Sequence, residues 1–168
     1  MSDAVLVTGA FGLVGSATVK HLAAHGRHVV ATDLDTPATR KAAAKLPSGV
    51  QVRWADLTDP AAVDALLCEV SPAAVIHLAA VIPPLCYAKP QLARKVNVEA
   101  TANLVKAAEA QPKPPRLVQA SSIAVYGPRN PHRITDVLTA ETPVNPYDNY
   151  GKHKVEAEAI VRGSTLDW

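Results

Sequence analysis

Apolar positions along the chain come in two rhythms. Short unbroken apolar runs near residues 4–8, 28–32, 50–55, 74–79 and 116–121 have the length of buried strands. Between and after them, near 13–25, 37–46, 60–70, 90–111 and 147–162, apolar residues recur at helical spacing. This alternation predicts βαβ units, and with them an α/β fold: a Rossmann-type doubly wound parallel sheet with helices on both faces. The punctuation agrees. Asp59 before Pro60 reads as an N-cap followed by the first helical residue, Gly26 closes the first helix, and Pro72 and Pro112 stop the helices that precede them.

The first strand runs straight into Gly9, Gly12 and Gly15, spaced G-x-x-G-x-x-G, and a helix runs out of the last glycine. Such a turn leaves backbone N–H groups at a helix N-terminus without internal partners, aimed at one spot with a partial positive charge. That arrangement suits a pyrophosphate. Glycines alone also make ordinary βα turns, but here Asp33 stands at the end of the second strand, where a carboxylate accepts both ribose hydroxyls of adenosine. It repels a 2′-phosphate, and no Arg or Lys follows before Arg40, so the expected cofactor is NAD rather than NADP.

Composition narrows the class without changing it. With 168 residues, 48% hydrophobic and 19% charged, the chain reads as one globular domain over 1–168 with a sizeable core. Its 17 basic and 15 acidic residues are dispersed and leave a net charge of +2, which gives no footing for nucleic acid or a membrane surface. The Met-Ser-Asp start lacks leader character, and no apolar run of about 18 residues occurs, so a cytoplasmic setting is expected. Cys68 and Cys86 have no paired spacing and read as free thiols; no metal site is expected.

Two loops at carboxyl ends of strands carry candidate chemistry. Asp56, followed by Leu57, is placed either to accept from an adenine amino group or to cap its own loop. Small residues at Ala79 and Ala80 let a flat cofactor approach the backbone, whereas the apolar-flanked His77 reads as a buried structural histidine. Late in the chain, Tyr150 and Lys154 are i and i+4, so a helix presents them on one face. An ammonium there is expected to bring the phenol, ordinarily near 10, toward the working range as a base, with Ser122 holding the same oxygen. Alone, the short and common Y-x-x-x-K fits an exposed pair on an amphipathic helix better; the dinucleotide motif at the other end of the chain reverses that preference.

Together these residues, with His77-Leu-Ala-Ala80, Asn97-Val98, Ser121-Ser122-x-x-Val-Tyr-Gly127 and Tyr150-x-x-x-Lys154, resemble the extended short-chain dehydrogenase/reductase superfamily. More narrowly the chain resembles the NAD-dependent epimerase/dehydratase group acting on nucleotide sugars. The resemblance implies that Ser122, Tyr150 and Lys154 are catalytic, and that Tyr150 takes a proton from a sugar hydroxyl while hydride passes to NAD. It implies cofactor contacts from Gly9, Phe11, Gly12, Leu13, Gly15 and Asp33, from Asp56, Leu57, Leu78, Ala79, Ala80 and Asn97, and from Tyr150 and Lys154 themselves. Dehydration needs an acid and a base just after the serine; Ile123 and Ala124 stand there, which leaves epimerase or dehydrogenase. Ala100 replaces a usual glycine, a small change in helix packing.

Members of the group are longer, and their sugar-nucleotide site is built largely after the Tyr-Lys helix. Ser164 to Trp168 reads as the lead-in to a sixth strand, so a sheet incomplete at its C-terminal end is expected, as a short form or a fragment. An NAD-binding module without turnover is the alternative function. The group also dimerises through the helices near 90–111 and 147–162. Leu92, Val96, Val98, Leu104 and Val105 are compatible with that, and equally with a buried helix.

Overall fold

A computed structural model describes residues 3–130, 132 and 136–168; Met1 and Ser2, part of the start read above for leader character, lie outside them. Five strands, β1 (Val5–Thr8), β2 (Val29–Asp33), β3 (Gln51–Trp54), β4 (Ala74–His77) and β5 (Arg116–Gln119), form one sheet in the order β3-β2-β1-β4-β5. Every pairing is parallel, with Thr8 opposite both Thr32 and His77. The central strand β1 is buried along its whole length, which is why it reads as an unbroken apolar run.

Alternate side chains divide the core between the two faces of the sheet. Leu6, Val30, Val75 and Leu117 pack with Leu66, Leu67, Leu104 and Val161 on one side, under α3 (Pro60–Val70), α6 (Ala100–Glu109) and α7 (Asn149–Arg162). Val5, Val7, Val29 and Ala31 pack with Val19 of α1 (Leu13–Ala24) on the other. Each fully buried leucine contributes about 2 kcal/mol. The expected N-cap forms: Asp59 accepts from Ala61 N–H at 3.0 Å ahead of Pro60. Helix α2 (Pro37–Ala43) is shorter than its pattern, and β4 and β5 each end two residues early, which puts Leu78–Ala79 and Ala120–Ser121 in loops at the carboxyl edge.

The expected single helix over 90–111 is the main departure. It is α5 (Pro90–Arg94), a π-helical turn (Lys95–Glu99) and α6, preceded by an unforeseen turn of helix, α4 (Leu85–Ala88). Lys89, held off the helical region before a proline (φ −133°, ψ 67°), separates α4 from α5. Of the apolar positions compatible with a dimer or a buried helix, Val98, Leu104 and Val105 are buried, whereas Leu92, 41% exposed, and Val96 face a cleft. At the sheet's β5 edge, Leu117 N–H donates to Asp167 O at 2.8 Å, so the segment expected to lead into a sixth strand touches the sheet at Asp167.

Candidate active site

The chain leaves β1 for β2 and β3 on one side, then crosses to β4 and β5 on the other, so a crevice opens where β1 and β4 part. Gly9 turns there with φ +62°, and a Cβ on it would lie 2.7 Å from the Ala79 backbone. A Cβ on Gly15 would lie 2.0 Å from Gly9 O, so helix and turn touch through glycine. Gly12 differs: a Cβ there would meet only Gly9 O at 3.4 Å. Protein packing leaves that space open, at the N-terminus of a helix whose N-cap, Gly12 itself, supplies no side-chain hydrogen bond. This open cradle of backbone donors fits a dinucleotide pyrophosphate.

A cleft of about 420 Å³ begins at this cradle. Of the expected cofactor residues, Gly9, Gly12, Asp33, Asp56 and Leu57 line it, as do Leu78, Ala79 and Ala80. Asp33 is oriented by the backbone, accepting from Phe11 N–H at 3.2 Å and Leu34 N–H at 2.9 Å. Asp56 caps its own loop, accepting from Thr58 N–H at 2.9 Å and Thr58 Oγ1–H at 2.8 Å, while still edging the cleft. Phe11 turns its ring toward Trp54, with centroids 5.4 Å apart, and Leu13 is 91% exposed at the helix start; neither lines the cleft. Leu34, Val81, Leu92 and Val96 form an apolar wall that the motifs did not single out, although Leu92 and Val96 are spaced i, i+4.

Asn97 is buried behind that wall instead of lining the cleft. Its Oδ1 accepts from Val81 N–H at 2.7 Å and its Nδ2 donates to Val81 O at 2.9 Å, which the π-helical turn makes possible by presenting the side chain to the loop. His77 is the structural histidine expected of it. Thr8 donates to Nδ1 at 2.6 Å and Nε2–H donates to Thr101 Oγ1 at 3.2 Å, a pattern satisfied by the neutral ring. Burial, then the charge of Lys154, pushes its pKa down to about 3. Thr8 Oγ1 accepts from Leu78 N–H and Ala79 N–H at 3.2 and 3.3 Å, so this buried cluster also holds the cleft wall.

The three expected catalytic residues meet at the carboxyl edge. Ser122 caps a 3₁₀ turn (Ile123–Tyr126), accepting from Ala124 N–H at 3.2 Å, and its hydroxyl is near enough to the Tyr150 phenol to lower that phenol's pKa. The buried Lys154 places Nζ 5.8 Å from the centre of the Tyr150 ring and donates to Ala120 O at 2.7 Å. The expected direction for Tyr150 is overturned. Burial raises the phenol above its ordinary value; the Ser122 hydroxyl opposes this, while Cys86 and Asp148 reinforce it. The ammonium is turned to a backbone carbonyl, and burial lowers its own pKa against the charge of Glu158.

Two residues beside this group carry more than their motif suggested. A Cβ on Gly151 would lie 2.5 Å from Ala124 O, so the glycine after Tyr150 lets the 3₁₀ turn close on α7. Asp148 caps α7, accepting from Gly151 N–H at 2.7 Å and from the Tyr87 hydroxyl at 2.7 Å. Among the described residues no cluster of three or more His, Cys, Asp or Glu is placed to hold a metal ion, and no helix is long and apolar enough to cross a membrane. Both cysteines are free, Cys68 exposed and Cys86 buried.

The chain is similar to known proteins along nearly its whole length. The family model described as NAD dependent epimerase/dehydratase matches residues 5–166. Methionine adenosyltransferase 2 subunit beta of Xenopus tropicalis is 33% identical over 93% of this chain and 42% of its own. Probable UDP-arabinose 4-epimerase 3 of Arabidopsis thaliana is 32% identical over 94% of this chain and 39% of its own. The structure of Thermus thermophilus UDP-glucose 4-epimerase in complex with NAD superposes with a TM-score of 0.82 at 29% identity, over 95% of this chain and 50% of that one. The chain thus spans about half the length of the proteins it matches, or less. With its glycine cradle, a carboxylate at the cleft edge and a family match along nearly its whole length, the chain belongs to the NAD-dependent epimerase/dehydratase family, with NAD as its cofactor.

Proposed function

We propose that this chain is the cofactor-binding and proton-transferring part of an NAD-dependent epimerase or dehydrogenase acting on a nucleotide sugar or a similar hydroxy compound. The observation that carries the proposal is the grouping of Ser122, Tyr150 and Lys154 at the sheet edge, close to the cleft that starts at the glycine turn. Gly12 and the first turn of α1 would hold the pyrophosphate, Asp33 the adenosine ribose, and Ala79 and Ala80 the cofactor's flat side. NAD, when bound, supplies the hydride acceptor.

The chain's own residues supply the proton chemistry. Tyr150 accepts the proton of the substrate hydroxyl, and Ser122, whose hydroxyl lowers the pKa of the same phenol, steadies that oxygen and the alcohol. Lys154 supplies positive charge beneath the ring and a donor that Ala120 O now takes. The raised phenol makes proton acceptance the demanding step and puts it on the alkaline side. Ile123 and Ala124, with no group able to move a proton, restrict the chemistry to oxidation or epimerisation. A cytoplasmic setting goes with the two free thiols.

A second reading is an NAD-binding subunit without turnover, favoured by the relative named as a subunit of a methionine adenosyltransferase. Calorimetric titration with NAD, followed by UDP-glucose and a panel of hydroxy compounds, separates the two. Lasting absorbance of the reduced cofactor indicates dehydrogenation, and an isomeric product without it indicates epimerisation. Tight NAD binding with no product from any compound, in a chain extended to the relatives' length, would establish the second reading. Dimerisation through the helices at 90–111 and 147–162 is part of the first and is tested by sedimentation on dilution.

A further inference from the structure

The residues from Ala120 to Ser122 leave the sheet at Gln119 and enter the 3₁₀ turn at Ile123. Ala120 N–H donates to His77 O at 3.2 Å, and each of the three residues then meets the same helix. Tyr150, Lys154 and Glu158 are spaced i, i+4, i+8, so α7 presents them on one face. Lys154 donates to Ala120 O at 2.7 Å and Glu158 Oε1 accepts from the Ser121 hydroxyl, while the Ser122 hydroxyl is near enough to the Tyr150 phenol to lower its pKa. The Glu158 carboxylate is anchored from its other oxygen by Arg162 at 3.0 Å, and its side chain is only 19% exposed.

We propose that Glu158 is a positioning residue: by fixing Ser121 it sets where Ala120 and Ser122 meet Lys154 and Tyr150. Ser121 is the middle residue, so releasing it loosens both neighbours at once. The carboxylate also offsets the burial of the Lys154 ammonium one turn away. The proposal deepens the functional reading above and rests on Tyr150 and Lys154 acting together at that site.

The test compares Glu158→Ala, Glu158→Gln, Ser121→Ala and the Glu158→Ala/Ser121→Ala double variant. The ionisation of Tyr150 is read as the ultraviolet difference from the same protein carrying Tyr150→Phe, and NAD affinity is read by calorimetry. Glu158→Ala and Ser121→Ala are each expected to move the phenol midpoint upward and weaken NAD binding about fivefold, the size of one lost hydrogen bond. The double variant is expected to be no worse than either single one. Glu158→Gln, whose amide oxygen still accepts from Ser121, is expected to keep the midpoint at or below the wild-type value. An unmoved midpoint in folded Glu158→Ala protein, or additive losses in the double variant, overturns the proposal; if Glu158→Ala does not fold, Ser121→Ala decides by the same criterion. Absence of turnover in a chain extended to the relatives' length overturns the functional reading alone, because the Tyr150 titration needs no substrate.

Discussion

Lys154 lies beneath the Tyr150 ring, its ammonium 5.8 Å from the ring centre and bonded to the Ala120 carbonyl instead of the phenol. The pair therefore shares a helix face without sharing a proton. Burial dominates the phenol and holds it in the acid form above its ordinary range, so a base role at this position requires alkaline pH or added positive charge nearby.

Tyr150→Phe is expected to reduce turnover by about 10²–10⁴-fold, the range of general acid–base assistance. NAD affinity should stay within a few-fold, since Tyr150 does not line the cleft. Steady-state rates and calorimetry on the same preparation check both halves, and retained turnover would remove Tyr150 from the role.

Two glycines of one motif are expected to fail in different ways. Gly15→Ala drives a Cβ to 2.0 Å from Gly9 O and should destabilise the fold by about 1–3 kcal/mol or more. Gly12→Ala meets nothing closer than 3.4 Å and should leave the melting temperature nearly unchanged while weakening NAD binding at least tenfold. Thermal melts with and without NAD separate the two; equal melting losses would refute the distinction.

Asp33→Ala should lower the preference for NAD over NADP. The wild-type carboxylate is held at the cleft by Phe11 and Leu34 N–H groups, and a negative charge there would repel a 2′-phosphate. Parallel titrations with both cofactors read the ratio. Equal affinities in the wild-type protein would show that Asp33 does not discriminate.

His77 predicts acid sensitivity. Its folded pKa of about 3 lies below the unfolded value of 6.5, so the unfolded chain binds the extra proton between those limits. The neutral ring's contribution is complete above pH 6.5 and is lost as pH falls from there toward 3. Between pH 6.5 and pH 5 the loss is about 2 kcal/mol. Denaturant unfolding at several pH values should show this slope in the wild type and a flatter one in His77→Asn, even if that variant is less stable throughout. Parallel slopes would remove His77 as the source.

How much of this was legible in sequence depends on how local the cause is. The glycine turn, Asp33 and the Asp59–Pro60 start follow from rules that operate within a few residues, and they appear in the expected places. The start of α5 had a local signal, Pro90 at the first position of the expected helix, whereas the single turn of α4 before it had no apolar rhythm long enough to announce it. The π-helical turn had none, because it accompanies Asn97 reaching Val81, sixteen positions away in sequence. The direction of the Tyr150 shift was likewise out of reach. Spacing shows that an ammonium is near but not how deeply the phenol is buried or which carbonyl captures the charge.

The wall of the cleft draws its backbone donors inward. Leu78 and Ala79 give their N–H groups to Thr8, and Val81 gives its own to Asn97, each acceptor being a buried side chain. A loop tied in this way has lost most of its conformational entropy before any ligand arrives. Cofactor entry therefore need not order it, and little of the binding energy is diverted into loop closure. Association should accordingly be fast and close to rigid-body, and the surface that meets the cofactor should have the slow amide exchange of the protein's interior rather than that of a loop.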